Sequence, residues 1–469
     1  MSYQTAVARM YALGHELASM PSHKFDLAHM RVLLAALGNP ERNFPSVLVA
    51  GTNGKGSASA TLASILVASG LKTGLYTSPH LVRINERIRL DGVEISDDDF
   101  AMLHDVVGRT AERLVSEGDL PWHPSFFEML TAMAFEYFAR SRPDLVVLEV
   151  GMGGRLDATN VVEPRVSVIT DISLDHQKYL GETVREIAGE KAGIIRRSGV
   201  VVTLPQMPDA NDVIGHAILD AGARAVNAVP YVPPVSPGSD SFWRTEKKPL
   251  TADLAAQRAE TPAENAEKSL RQRYPLAVLG EEILVESSLV GRHQLRNVAL
   301  AIATAVELQE QGFAQITARS IERGIRAARW PGRFQVLSAA AGRPEFVFDV
   351  AHNPAGAWAL RSTLSAAYED RPVTMVFGVL RDKAVAEIAE ILFPIAEHVI
   401  VTRVDNPRSA SVPEIREAAR RVPIEISGAE NVAAALEEAR RLAGEQGLVV
   451  VTGSIYIVGE AMRVMGIRI

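Results

Sequence analysis

The sequence predicts an α/β protein with parallel sheets, on three observations. Short apolar, β-branched runs recur along the chain, Ala/Leu-rich stretches of helical periodicity lie between them, and turn residues bound the runs. A strand buried on both faces reads as a continuous apolar run, so this rhythm is that of repeated strand–helix units. The runs are Val47–Ala50, Leu145–Val150, Val166–Thr170, Val200–Leu204, Phe346–Val350, Val373–Phe377, Val399–Thr402 and Leu448–Thr452. Val432–Ala443 typifies the helical stretches between them.

The rhythm breaks twice. From Tyr231 to about Tyr274 the chain is rich in Pro, Ser, Lys and Glu, which predicts an elaborated or partly disordered surface insert. At Ala328–Arg333 a helix must stop at Pro331-Gly332, and a fresh strand–helix alternation follows. The expected domains are therefore 1–330, carrying the insert at about 231–274, and 331–469.

Composition narrows the function. Lys and Arg number 49 against 56 Asp and Glu, a formal charge of −7 with no global basic field for a nucleic-acid backbone. Cysteine is absent, which removes disulfides, thiolate metal sites and cysteine nucleophiles. No apolar run reaches the ~20 residues of a membrane span, and the start MSYQTAVARM lacks a signal-peptide core. A cytoplasmic, soluble, multidomain protein with neither nucleic-acid nor membrane partners is expected.

Val47-Leu-Val-Ala-Gly-Thr-Asn-Gly-Lys-Gly-Ser57 runs from a buried strand through a glycine-rich turn into a helix expected over Ser57–Ser69, closed by Gly70. Glycines let backbone N–H groups converge on phosphate oxygens, and a helix N-terminus adds positive potential. Lys55 is placed to reach the β- and γ-phosphates. The strict phosphate-loop pattern fails twice, at Val49 and at Gly56, which separates Lys55 from Ser57. The competing reading is a glycine-rich turn with a stray lysine.

Three strand ends downstream carry hard-ligand types: Ser78 in Tyr76-Thr-Ser-Pro-His80, Glu149 inside an apolar strand, and His176 in Ile172-Ser-Leu-Asp-His176. Ligands of open α/β sheets collect at carboxyl ends of strands. A carboxylate, a hydroxyl and an imidazole suit a Mg²⁺ that keeps waters and substrate phosphates. Taken singly, His176 also reads as a surface histidine and Ser78-Pro79 as an ordinary turn. An unpaired Glu149 in a buried strand is costly and harder to dismiss.

At this point the residues resemble a known family. Gly51-Thr-Asn-Gly-Lys-Gly-Ser57, Tyr76-Thr-Ser-Pro-His-Leu81, Glu149-Val-Gly-Met-Gly-Gly-Arg-Leu-Asp-Ala-Thr-Asn160, Ser173-Leu-Asp-His176 and Glu190-Lys-Ala-Gly-Ile194 look like folylpolyglutamate synthase/dihydrofolate synthase of the bifunctional bacterial type, the folate branch of the Mur ligase superfamily. Gly291-Arg-His-Gln-Leu-Arg-Asn297, Trp330-Pro-Gly-Arg333, Asp349-Val-Ala-His-Asn-Pro354 and Phe377-Gly-Val-Leu-Arg-Asp-Lys383 continue the match in order. The resemblance implies an N-terminal P-loop ATPase-like domain with a mainly parallel sheet and a smaller C-terminal Rossmann-like α/β domain. It implies ATP-dependent amide ligation: a pteroate-type carboxylate takes the γ-phosphoryl group of ATP, and the glutamate amine displaces phosphate from the acyl phosphate. No enzyme nucleophile is needed, which agrees with the missing cysteine.

By carry-over, Thr52, Asn53, Gly54, Lys55, Gly56, Ser57, Asn297, Arg333, Asp349 and His352 bind ATP, with Asn353 beside the last of these. Ser78, Glu149 and His176 hold Mg²⁺, in two sites, and a monovalent cation such as K⁺ belongs to the same set. Lys191 is implied to be an N6-carboxylysine that ligates the second Mg²⁺; without the family it reads as a solvated helical lysine paired with Glu190 or Glu186. Lys55, Lys191 and His176 form the implied catalytic set. Phe127, Asp157 and Ala158 are implied at the pterin, though one of Phe126 and Phe127 must be a core residue opening the helix Phe127–Ala139. Asp382 and Lys383 are implied on the glutamate side, or else are a surface turn pair. One departure is Val350, where the family usually has Gly; a β-branched residue resists a positive φ, so the path of that loop is an open question.

Two other readings compete: another Mur-superfamily carboxylate–amine ligase, and a P-loop regulator that binds nucleotide without ligating. Gly56 and Asp157-Ala-Thr-Asn160 weigh against the first, and the metal machinery at Glu149, His176 and Lys191 against the second.

Overall fold

The computed structural model describes residues 1–14, 27–234, 270–340, 342–369 and 371–467. Most of the insert expected at 231–274 lies outside the described residues. Its last part departs from the expectation: Gln272, Arg273 and Tyr274 open a strand, with Tyr274 buried.

The described residues divide into two compact units: Met1–Val232 with Val278–Glu281 and Arg296–Ala328, and Pro233–Ala277 with Glu282–Leu295 and Arg329–Ile469. The first is built on an eight-stranded sheet of β1 (Ser46–Ala50), β2 (Thr73–Tyr76), β3 (Ile88–Leu90), β4 (Val93–Glu94), β5 (Leu145–Glu149), β6 (Val166–Ile169), β7 (Val200–Thr203) and β8 (Arg224–Asn227), in the order β4-β3-β2-β5-β1-β6-β7-β8. From β2 to β8 all neighbours are parallel, while β3 and β4 are antiparallel additions at one edge. The central strands β1, β5 and β6 are buried at every residue, as their apolar runs require. The strands β9 (Gln272–Val278) and β10 (Glu281–Ser287) form a separate ribbon, turned by Leu279 and Gly280, both at positive φ.

The second unit carries a six-stranded sheet of β11 (Gln335–Leu337), β12 (Glu345–Phe348), β13 (Val373–Phe377), β14 (His398–Thr402), β15 (Ile426–Ala429) and β16 (Leu448–Thr452), ordered β11-β12-β16-β13-β14-β15. It is parallel apart from β11. All eight runs read as strands are strands, and the helix Val432–Ala443 has the expected bounds. Val350 raises no conflict: it is absent from the residues at positive φ, and its N–H donates to the Gly332 carbonyl at 3.0 Å. The left-handed positions nearby are Gly332 and Phe334. Among the described residues no helix is long and apolar enough to cross a membrane.

One packing contact positions the later site. The helix after β1, Lys55–Ala68, begins two residues earlier than expected and is buried on nearly every face by small residues. The helix Ala318–Ala327 lies against it at backbone distance: Ser64 Oγ donates to the Gly324 carbonyl at 2.7 Å, and Ser69 and Ser320 share a hydroxyl bond of 2.8 Å. A Cβ at Gly324 would stand 2.4 Å from the Ile65 Cα. Gly324→Ala must therefore push the helices apart, at a cost of about 1–3 kcal/mol. A lowered urea midpoint of the full chain is the expected result; an unchanged midpoint would show that the packing yields.

Candidate active site

The loop Gly51–Gly54 leaves β1 and enters the helix at Lys55, and steric facts dictate its glycines. Gly51 has φ 154°, and a Cβ there would stand 1.8 Å from Thr170 Oγ1. Gly54 caps the helix at φ 89°, and a Cβ would meet Asn297 Oδ1 at 2.1 Å. Asn297, buried, thus lies directly on the loop. The loop is tied to the next strand end. The N–H groups of Thr52 and Asn53 donate to the Asp171 carbonyl at 2.9 and 3.1 Å, Thr52 Oγ1 donates to the Ser173 carbonyl at 3.0 Å, and Asn53 Nδ2 donates to Ser173 Oγ at 3.1 Å.

Two lysines meet on one oxygen. Lys55 Nζ donates to the Gly51 carbonyl at 3.1 Å and to the Thr52 carbonyl at 3.3 Å, and Lys191 Nζ donates to the same Gly51 carbonyl at 2.8 Å. Lys191 sits in the last turn of the helix Val184–Ala192 and is 3% exposed, so it is not the solvated helical lysine of the competing reading. Glu190 bonds Arg155 and Glu186 caps its own helix at Thr183. Burial pushes the Lys191 ammonium down to about 7, with the Lys55 charge adding and Asp175 and Asp157 opposing. A substantial neutral fraction near pH 7 is what addition of CO₂ to an amine requires.

Glu149, 4% exposed, ends β5 beside Val49 of β1, and the Ser78 N–H donates to its Oε2 at 3.2 Å. Ser78 and Glu149 are therefore brought together at the carboxyl edge of adjacent strands. His176 adopts a left-handed φ of 51° at the start of the helix Gln177–Leu180, with Nε2 4.0 Å from Asp175 Oδ1. Among the described residues no three His, Asp or Glu side chains form a metal-holding group. The donors present are oxygens and one imidazole, few in number, which fits Mg²⁺ completed by waters and phosphates and not a closed all-protein cage.

Asp157 follows in the loop after β5. Its Oδ2 accepts from the Met152 N–H at 2.9 Å and its Oδ1 from the Thr159 N–H at 3.0 Å, capping the short helix that opens at Ala158. Burial pushes its carboxyl up, and the bonds from Thr159 and Met152 hold it partly back. Phe127 packs on the same loop, its Cζ 2.5 Å from where a Cβ on Gly151 would be. Phe126 is the core residue of the pair, stacked on Tyr11 with centroids 5.9 Å apart, and the helix spans Phe126–Ser141.

In the second unit, Asp349 directly follows β12, and there its Oδ2 accepts from the Phe334 N–H and its Oδ1 from the Ala351 N–H, each at 2.9 Å. Burial pushes its carboxyl up and the Arg333 charge opposes. His352 Nδ1 lies 2.9 Å from the Val350 carbonyl, and Asn353 caps the helix Pro354–Ala367 through the Gly356 N–H at 2.8 Å. Asp382 and Lys383 occupy a turn, Arg408 Nη1 donating to Asp382 Oδ2 at 3.5 Å. The sequence reading missed Asp171, whose signal was an acidic residue closing an apolar run.

The Mur ligase glutamate ligase domain family matches residues 332–455. The dihydrofolate synthase/folylpolyglutamate synthase of Bacillus subtilis is 32% identical over 443 residues, 93% of this chain and 94% of the relative. The folylpolyglutamate synthase of Lacticaseibacillus casei is 33% identical over 466 residues, 99% of each. The structure of Mycobacterium tuberculosis folylpolyglutamate synthase complexed with ADP and AMPPCP aligns with a TM-score of 0.81 at 32% identity, covering 98% of this chain and 99% of that one. The apo form of the L. casei protein aligns at 0.79 and 31%, covering 99% and 100%. With two glycines dictated by close contacts, two lysines on one loop carbonyl and whole-length relatives on both measures, the chain belongs to the folylpolyglutamate synthase/dihydrofolate synthase family of the Mur ligase superfamily.

Proposed function

We propose that the protein is an ATP-dependent ligase that adds L-glutamate to dihydropteroate, to the glutamate tail of tetrahydrofolates, or to both, through an acyl phosphate. The observation that carries the reading is the meeting of Lys55 and Lys191 on the Gly51 carbonyl. Two cations at the mouth of a glycine-rich loop fit a triphosphate whose γ-group must transfer. The substrate carboxylate attacks the γ-phosphorus, the bond to ADP breaks, and the amine of glutamate then attacks the acyl carbon and expels phosphate. The chain's part is to hold the partners in line and to neutralise charge.

Residues 1–330 carry ATP, Mg²⁺ and the pterin in this reading, and 331–469 is the Mur-ligase-type C-terminal domain. Ser78, Glu149 and His176 hold Mg²⁺, which polarises the phosphoryl oxygens when bound. Lys191 joins them after its neutral amine adds to CO₂ and loses a proton, leaving a carbamate. The oxygen ligands also suit K⁺. Asn297, Arg333, Asp349 and His352 contact nucleotide, and Asp382 and Lys383 face glutamate. A cytoplasmic monomer is the working form.

The direct test is product analysis with ATP, L-glutamate and Mg²⁺, first with dihydropteroate and then with tetrahydrofolate. New amide product from either acceptor supports the reading and shows which activities are present; ATP turnover without amide favours a non-ligating regulator. Lys55→Ala should lower turnover at least ~10²-fold, the scale of one lost contact to developing charge. The Gly51 carbonyl keeps Lys191 in that variant, so the melting temperature should hold, and near-native turnover would remove the phosphate-loop assignment.

Lys191→Ala should be nearly inactive, with short carboxylic acids restoring part of the rate by filling the vacated place. Lys191→Arg keeps its charge and fills the space, so it should not be rescued. Absence of rescue in the alanine variant would count against the carbamate. Asp157→Ala should damage dihydropteroate use more than tetrahydrofolate use. It also strands the Met152 and Thr159 amides, at about 1–3 kcal/mol. Equal losses for both acceptors would mean that Asp157 only shapes the loop.

A further inference from the structure

Two backbone amides of the phosphate loop share one carbonyl, and a charged clamp fixes the residue that owns it. Thr52 and Asn53 both donate to the Asp171 carbonyl. Gln206 brackets this residue: its Nε2 donates to the Thr170 carbonyl at 3.2 Å, and the Ile172 N–H donates to its Oε1 at 3.1 Å. The Asp171 carboxylate is gripped by Arg296, whose Nε donates to Oδ1 at 3.0 Å and Oδ2 at 3.1 Å, and whose Nη2 donates to Oδ1 at 2.6 Å. The same Nη2 donates to the Pro205 carbonyl at 2.8 Å, so the fork is held at both ends.

We infer that Arg296 is a positioning residue for the nucleotide: through Asp171 it sets the phosphate loop, and it cancels a carboxylate that otherwise stands unneutralised beside the incoming triphosphate. The inference rests on the phosphate-loop reading above. Asp171 lies one residue beyond Thr170, whose hydroxyl crowds Gly51, and its carbonyl carries the loop amides, so its carboxylate belongs to the rim of the loop. An uncompensated negative charge there repels ATP, and a free Asp171 side chain lets the strand end turn. Arg296 precedes Asn297, so one helical segment supplies both the clamp and the side chain lying on Gly54.

The pair also makes a distinguishing demand. Its side chains are 31% and 33% exposed, so its worth to global stability is small. Loss of the clamp must therefore appear in nucleotide affinity and not in the melting temperature.

The test is steady-state kinetics with each substrate varied, ADP binding by calorimetry and thermal unfolding, on the full chain. Arg296→Met should raise KM for ATP and Kd for ADP by about 3- to 10-fold, the scale of a partly exposed forked pair. KM for glutamate and for the pteroate substrate should stay within about twofold, and the melting temperature within about 2 °C. Arg296→Lys, which keeps charge without the fork, should fall between. Arg296→Met combined with Asp171→Asn should bind ATP better than Arg296→Met alone, because the stranded charge is gone. Unchanged KM for ATP in Arg296→Met overturns the inference, as does a joint rise of all three KM values with a fall in melting temperature, or a double variant no better than the single. If Lys55→Ala retains turnover, the phosphate-loop reading itself fails; if Lys55→Ala is inactive while Arg296→Met leaves KM for ATP untouched, only this inference does.

Discussion

The Gly51 carbonyl oxygen is the point on which the first unit's chemistry turns, because Lys55 and Lys191 donate to it together. Two ammonium groups within hydrogen-bond reach of one neutral oxygen are an unfavourable pair in the absence of an anion. Burial first, and the Lys55 charge second, loosen the proton on Lys191 against the pull of Asp175 and Asp157. Such a site is relieved in two ways: by a polyanion arriving at the loop, or by conversion of one ammonium to a neutral or anionic group. In the function proposed above, this electrostatic mismatch is what draws phosphate to the loop and makes the Lys191 amine reactive.

That meeting depends in turn on strand order. β1 lies between β5 and β6, so the loop leaving β1 emerges with Glu149 on one side and Thr170-Asp171 on the other. The chain passes to β2 and β5 on one flank and to β6 on the other, and a crevice opens at such a reversal of direction. Gly51 can enter it because it lacks a Cβ that would strike Thr170. The small-residue face of the helix Lys55–Ala68, locked against Gly324, then holds the loop's exit in place.

How much of this could be read from the residues follows from what each feature depends on. Buried parallel strands announce themselves because burial on both faces leaves no polar position, and the eight runs are all strands. The loop was legible because its glycines and Lys55 are contiguous. Lys191 was not: its neighbours Glu186 and Glu190 suggest a solvated salt-bridging face, and only the fold shows both engaged elsewhere while the lysine is buried. The antiparallel strands β3 and β4 and the ribbon of β9 and β10 escaped notice for a simpler reason. Ile88–Leu90 and Val93–Glu94 are too short for periodicity to register, and β9 and β10 mix charged with apolar residues in a polar stretch. Arg296 is invisible to pattern because its meaning lies in a partner 125 positions away.

The second unit solves a similar problem with different groups. Phe334, a bulky residue, takes a left-handed φ of 48°, which costs energy for any side chain with a Cβ. Its N–H donates to Asp349 and its ring stacks on Tyr368 with centroids 6.3 Å apart. Tyr368 is pinned in turn: its hydroxyl donates to Glu345, which also accepts from Arg371 Nη1 at 3.0 Å. A strained backbone persists only where its surroundings over-determine it. Here the determinants are a buried carboxylate, a stacked ring and an ion pair, and the residue whose direction they decide is Arg333, immediately before the strained Phe334. A backbone turned by Phe334 and anchored at Asp349 fixes the main-chain point from which the Arg333 side chain departs. The direction of the chain at this turn is therefore settled as the unit folds, by contacts that the unit itself supplies.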